Sequence, residues 1–162
     1  MPQAPEYHPL LVEQVREALV TRNLDAFGSL LGDDVRWGGD QHPRACRSRA
    51  DVVATFTRII AEGAEGKVMD IAAGPRGIVC ELAVTWSRGE NRSDERVLYH
   101  LYLVRDGRIV EIQPYDDRTS AEVAAGITPG MTCADCGCIV NRGIRLVTCG
   151  DDCCCRDLPA HA

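Results

Sequence analysis

Apolar positions along the chain change their period near Lys67. Upstream they recur every three to four residues, as an amphipathic helix requires. Downstream they alternate with polar ones, as a half-buried strand requires. HPLLVEQVREALVTRN predicts a first helix, with Leu11, Val15, Ala18 and Leu19 on one stripe and Glu13, Arg16 and Glu17 off it; Pro9 suits its first turn. LDAFGSLL predicts a short second helix stopped by Gly32, and DDVRW a strand. After the loop GGDQHPRACRSR, Ser48 can cap a third helix, RADVVATFTRIIAEG. Its stripe is Val52, Val53, Phe56, Ile59 and Ile60, and Gly63 closes it. Four strands follow: KVMDIAAG, IVCELAVTW, ERVLYHLYLV and RIVEIQPY. Their turns are Gly74-Pro75-Arg76-Gly77, SRGENRSD and Asp106-Gly107. RTSAEVAAG predicts a last short helix, and GITPG (126–130) a linker. This order predicts an α+β domain, with a curved antiparallel sheet and helices packed on one face.

Composition narrows the functional classes. The 162 residues suit one domain with a modest surplus, and 45% hydrophobic content is enough for a core. A formal net charge of −6 and a pI near 5.2 exclude the basic face that nucleic acid or an anionic membrane would need. No apolar run reaches membrane-spanning length. MPQAPEYHPLLVEQ lacks a basic region followed by an apolar one, so the expected location is the cytoplasm, where thiols stay reduced.

Alternation puts Leu98, His100 and Tyr102 on one face of their strand and Tyr99, Leu101 and Leu103 on the other; it leaves open which face lines the interior. On the next strand Glu111 and Gln113 should face water, which turns Val110 and Ile112 inward. Candidate pocket residues are Trp37, Asp40, His42, Cys46, Trp86, His100, Tyr102 and Tyr115. Acid–base catalysis needs a His or carboxylate with a tuned pKa in a dry cleft, and His100, mid-strand among apolar neighbours, is the best single candidate, with Tyr102 beside it. The plainer use of His100 is a half-buried side chain hydrogen-bonded to Tyr102 or a carboxylate. Cys46 and Cys80 have no evident His partner in sequence and read as small core residues.

The element order, with LGDDVRW after the opening helices, CRSRADVVATF entering the third and VRDGRIVEIQPYDDR closing the meander, resembles the nuclear transport factor 2-like superfamily, in particular the small SnoaL-like bacterial proteins. The resemblance spans about residues 8–126. It implies a cone-shaped α+β barrel enclosing a pocket for a small, largely apolar molecule. Family members include polyketide cyclases, isomerases, dehydratases and binding proteins, so the fold does not fix the reaction. Exposed sheet faces in this family often pair, which makes a homodimer an expectation. SnoaL-like cyclases carry an acidic residue late in the last long strand. Here Pro114 of EIQPYDD stands about there, with Asp116 and Asp117 slightly later, a departure that weighs against cyclase chemistry.

Seven of the nine cysteines crowd into TCADCGCIVNRGIRLVTCGDDCCCRD. Cys133 and Cys136 form a C-x-x-C-G turn, Cys149 and Cys153 a second pair, and the segment between them predicts a hairpin of Ile139-Val140 with 144–147 about Asn141-Arg142-Gly143. Two thiol pairs across a hairpin suit a four-thiolate zinc ion, and residues 131–158 resemble zinc-ribbon or treble-clef modules. So small a piece cannot bury enough apolar surface to fold alone. Structural zinc supplies about 10–16 kcal/mol of apparent binding energy, against about 2–4 kcal/mol for a disulfide. Cys138, Cys154 and Cys155 are surplus to one zinc and open an alternative, binding of Cu(I) or another thiophilic metal.

Overall fold

The computed structural model describes residues 9–38, 44–87 and 93–127, and the strand backbones of 131–132 and 139–140. Two helices, α1 (Pro9–Val20) and α2 (Leu24–Ser29), lead into β1 (Leu31–Trp37). Helix α3 (Arg49–Ala61) then precedes the meander β2 (Ala64–Ala73), β3 (Gly77–Ser87), β4 (Ser93–Arg105) and β5 (Arg108–Tyr115). Helix α4 (Arg118–Ala125) ends the domain. A separate ladder pairs β6 (Met131–Thr132) with β7 (Ile139–Val140).

Local chemistry sets these boundaries. Ser48 is extended, and its Oγ accepts the Asp51 N–H at 3.2 Å, which starts α3 as expected. Asp106 and Gly107 both take positive φ, 51° and 71°, the conformation of a two-residue type I′ hairpin. Helix α2 stops earlier than expected, at Ser29, and Leu31 and Gly32 belong to β1. The Leu30 carbonyl accepts the Ile109 N–H of β5, and the Arg49 guanidinium takes the Leu31 carbonyl at 2.7 Å. Those long-range bonds satisfy the backbone as strand rather than helix.

The sheet order is β1-β5-β4-β3-β2. All its pairs are antiparallel except β1 with β5, so the curved sheet is mixed rather than antiparallel throughout. The crossover through α3 and the meander brings β1 beside the last strand with its direction preserved.

Helices also cover both faces, not one. Helices α1 to α3 pack on what we term the inner face, where Val15, Phe27, Val35, Val52, Ile78, Tyr102 and Ile112 form the main core. Helix α4 packs on the outer face, with Ala121 and Ala125 against Val79 and Leu101. Asp117 caps α4 by accepting the Ser120 N–H at 2.8 Å, and Gly126, at φ 78°, ends it. The Gly126 and Ile127 amides return to the Val123 and Glu122 carbonyls, which completes a Schellman closure. Arg118 ties α4 down through Glu122 (2.6 Å), Asp70 (2.6 Å) and Glu81 (3.3 Å).

The inward pair on β5 is Ile109 and Ile112, not Val110 and Ile112. The β4–β5 register slips between Leu103↔Glu111 and Val104↔Ile109, so Val110 is the extra residue of a bulge. In the tail, Ile139–Val140 pairs with Met131–Thr132. The partner expected for it, residues 144–147, lies outside the described residues, as do all seven tail cysteines.

Candidate functional site

Strand β4 settles the face that alternation left open. Leu98, His100, Tyr102 and Val104 point inward among the helices, while Tyr99, Leu101 and Leu103 point to the α4 side. His100 pairs across the ladder with Cys80 on β3 and Pro114 on β5; Tyr102 pairs with Ile78 and Ile112. Gly77 allows β3 to lie this close, since a Cβ there would stand 2.2 Å from the Tyr102 carbonyl.

Five rings close a circuit on this face. Trp37 stacks on Phe56 (centroids 4.9 Å apart, 20° between planes), and Phe56 meets Phe27 edge-on at 5.3 Å. Phe27 reaches Tyr102 at 5.8 Å, Tyr102 reaches His100 at 6.2 Å, and His100 returns to Trp37 at 5.8 Å. Edge-to-face contacts of this kind add about 0.5–1.5 kcal/mol each beyond burial. Trp37 is held in place by two backbone bonds to Cys46, of 3.0 and 2.8 Å, and the Cys46 Sγ lies 3.3 Å from the Thr55 hydroxyl of α3.

The polar atoms of this face are unusual. His100 is 7% exposed, and its Nδ1 has no hydrogen-bond partner among the described residues; the same holds for the fully buried Tyr102 hydroxyl. The partner expected for His100, Tyr102 or a carboxylate, is therefore not found among the described residues. Burial lowers the His100 pKa to about 4, so the imidazole is neutral at physiological pH. Burial, and secondarily Cys80, raises the Tyr102 phenol well above its ordinary value. Burial also raises the Cys80 thiol, outweighing the opposing field of Arg16. All three groups are thus held in their uncharged forms. Pro114 is exposed, so the inner face meets solvent beside the imidazole.

The other expected site residues separate. Trp86 shares the inner face but stands six residues from Cys80 along β3, about 20 Å away. Tyr115 lies on the outer face and donates to Gln113 Oε1 at 3.0 Å, and Gln113 donates to Glu111 at 2.9 Å. Asp40 and His42 lie outside the described residues. Asp117 is occupied as a helix cap, and Asp116 is exposed beyond the last paired residue of β5. Sequence reading missed Phe27, Phe56 and the Cys80–His100 juxtaposition. The two phenylalanines are the chain's only ones, which was the available signal. Among the described residues no group of three or more His, Cys, Asp or Glu side chains could hold a metal, and no helix is long and apolar enough to cross a membrane.

The fold recurs in solved structures. An epoxide hydrolase from M. tuberculosis described as LEH-like is 21% identical, with a TM-score of 0.52 over 72% of this chain and 81% of its own. A putative polyketide cyclase from Sinorhizobium meliloti is 12% identical, with a TM-score of 0.53 over 67% of this chain and 95% of its own. A hypothetical protein with a ketosteroid isomerase-like fold from Catenulispora acidiphila, solved with trimethylamine, is 17% identical, with a TM-score of 0.53 over 74% of this chain and 95% of its own. At these identities the likeness establishes the fold alone. No curated protein matches the chain significantly. The profile of the SnoaL-like domain matches residues 12–112, from the first helix through the inward Ile112 of β5, and the chain belongs to the SnoaL-like domain family.

Proposed function

We propose that the SnoaL-like domain binds a small, largely apolar organic molecule against its inner face, with His100 and Tyr102 as polar anchors. One observation carries this reading: two buried polar atoms on one strand face, His100 Nδ1 and Tyr102 Oη, lack partners among the described residues beside an aromatic wall. An unsatisfied buried group costs about 1–3 kcal/mol, and a ligand that pairs with it offsets that cost. Small-molecule ligands are consistent with the family and with the trimethylamine bound to the Catenulispora relative. The test is chemical-shift mapping of the intact chain against a library of neutral aromatic fragments. Binding should perturb the Trp37 indole and the His100 ring; perturbations confined to Tyr99 and Tyr115 on the outer face would refute it.

Acid–base isomerase or cyclase chemistry through His100 is the catalytic alternative. A pKa near 4 makes the imidazole a poor proton donor at neutral pH and a weak base, which favours binding over catalysis. Ligand turnover that His100→Gln abolishes without changing affinity would reverse that preference.

For the tail we infer a structural zinc ion on Cys133, Cys136, Cys149 and Cys153. Support comes from the donor set and from the β6–β7 ladder. Thr132 pairs with Ile139, so the ends of the six-residue segment carrying Cys133, Cys136 and Cys138 adjoin the two residues of one rung. Thiolate pairs of this kind suit zinc. Native mass spectrometry of protein purified without added metal should find one zinc. Several Cu(I) or similar ions would instead support the soft-metal alternative, in which Cys138, Cys154 and Cys155 also bind.

A further inference from the structure

We infer that the free edge of β2 is an interaction surface whose partner is the β2 strand of a second copy of the chain, paired antiparallel about Gly66.

The two edges of the sheet differ. At β1 the outward backbone is occupied. Trp37 exchanges bonds of 3.0 and 2.8 Å with Cys46, and the Arg49 guanidinium takes the Leu31 carbonyl at 2.7 Å. At β2, the other end of the strand order, no backbone bond beyond the β2–β3 ladder reaches Ala64–Ala73 among the described residues. A strand edge in this state is a template for another strand. Its regular part is short. Residues 64–68 pair one to one with β3, and Met69 is the extra residue of a bulge, since Val68 pairs with Leu82 and Asp70 with Glu81.

Charge selects the partner and the register. Glu65 and Lys67 are exposed, share the outer face of β2, and have no ion-pair partner among the described residues. Their neighbours on β3, Thr85 and Ala83, carry no charge. A lone Lys on an edge discourages pairing with a foreign strand. In a two-fold antiparallel pair centred on Gly66, however, Lys67 of each copy lies opposite Glu65 of the other, so the edge is complementary to itself. The neighbouring two-fold registers fail on charge: a centre at Glu65 sets Glu against Glu, and a centre at Lys67 sets Lys against Lys. The Gly66 register also sets Ala64 against Val68 on the inner face. A Cβ at Gly66 would meet nothing within 4 Å, so no described element of the chain covers the edge at its centre. Apolar side chains stand at both ends, Ile60 at 39% and Met69 at 51% exposure. The register brings Met69 opposite Gly63 of the second copy, the turn residue whose N–H bonds the Ile60 carbonyl.

Sedimentation equilibrium of the full-length protein, in low salt with a reductant present, tests this. Monomer should convert to dimer between about 1 µM and 1 mM. Lys67→Glu sets like charges opposite each other at both symmetric positions and should raise the dissociation constant about tenfold. The double change Glu65→Lys with Lys67→Glu restores the complementarity and should restore the dimer; circular dichroism checks that both variants fold. In the parent protein, hydrogen exchange should slow at residues 64–68 when the dimer forms. A monomer throughout the range overturns the inference. So does a dimer that Lys67→Glu leaves intact, or one that the double change does not restore. Protection that falls on β4 and β5, with β2 unchanged, overturns it as well by placing the contact on the sheet face.

Discussion

The two faces of the sheet treat polar groups in opposite ways. On the outer face the polar side chains around α4 are tied to one another. Tyr115 donates to Gln113, Gln113 donates to Glu111, Arg118 spans three carboxylates and Asp117 caps α4. On the inner face the core is aromatic and aliphatic, and His100 and Tyr102 are buried with polar atoms that find no partner among the described residues. Around α4 the outer face has its ion pairs and hydrogen bonds in place and its helix docked. The inner face carries an unmet demand that a molecule from outside the chain can meet. That contrast is the ground on which we propose the binding surface under α1 to α3 rather than under α4.

Breaking the inner wall should have the largest effect. Phe27 is 1% exposed and joins Phe56 to Tyr102. Phe27→Ala should cost about 3–5 kcal/mol in urea unfolding, as large-to-small changes in packed cores do.

Acid comes next. The folded chain holds His100 at about 4, against an ordinary value of 6.5, so between those pH values the unfolded chain binds more protons. Stability is then indifferent to His100 above about pH 6.5 and falls as pH drops from there toward 4, by on the order of 3 kcal/mol in all. Unfolding curves recorded across that window should show the loss, and His100→Gln should flatten it.

The outer face should respond less. Arg118 is 42% exposed, and partly solvated ion pairs are worth little, so Arg118→Ala should cost about 1 kcal/mol or less and the cost should shrink in high salt. A loss of several kcal/mol would show that α4 depends on that network more than on Ala121 and Ala125.

Smallest of all is Tyr102→Phe in the free protein. It removes a buried hydroxyl that has no partner among the described residues, so stability should stay within about 1 kcal/mol of the parent or rise. A large loss would mean that the hydroxyl is already satisfied and that the two faces do not differ as described.

Local signals were legible in the sequence. The Ser48 cap, the Asp106-Gly107 turn and the helical stripe of α1 follow from residue chemistry within a few positions. The features set by long-range pairing were not. The expected strand begins at Glu95, whereas β4 begins at Ser93 and Trp86 pairs with Asp94. The pairing register sets Cys80 against His100, and alternation within one strand does not reveal it. The parallel pairing of β1 depends on contacts between residues some 75 positions apart, and the bulge at Val110 on a slip in the β4–β5 register that strict alternation along one strand does not show. The face taken by α4 is decided by the small pair Ala121 and Ala125 fitting against Val79 and Leu101, a match invisible in the helix alone.

The measurement closest to the heart of this account is an NMR titration of the His100 imidazole nitrogens in the intact, ligand-free protein. The ring is expected to stay neutral at pH 6 and to take its proton only near pH 4. A midpoint at or above 6.5, with Nδ1–H bonded to a carboxylate, would contradict it.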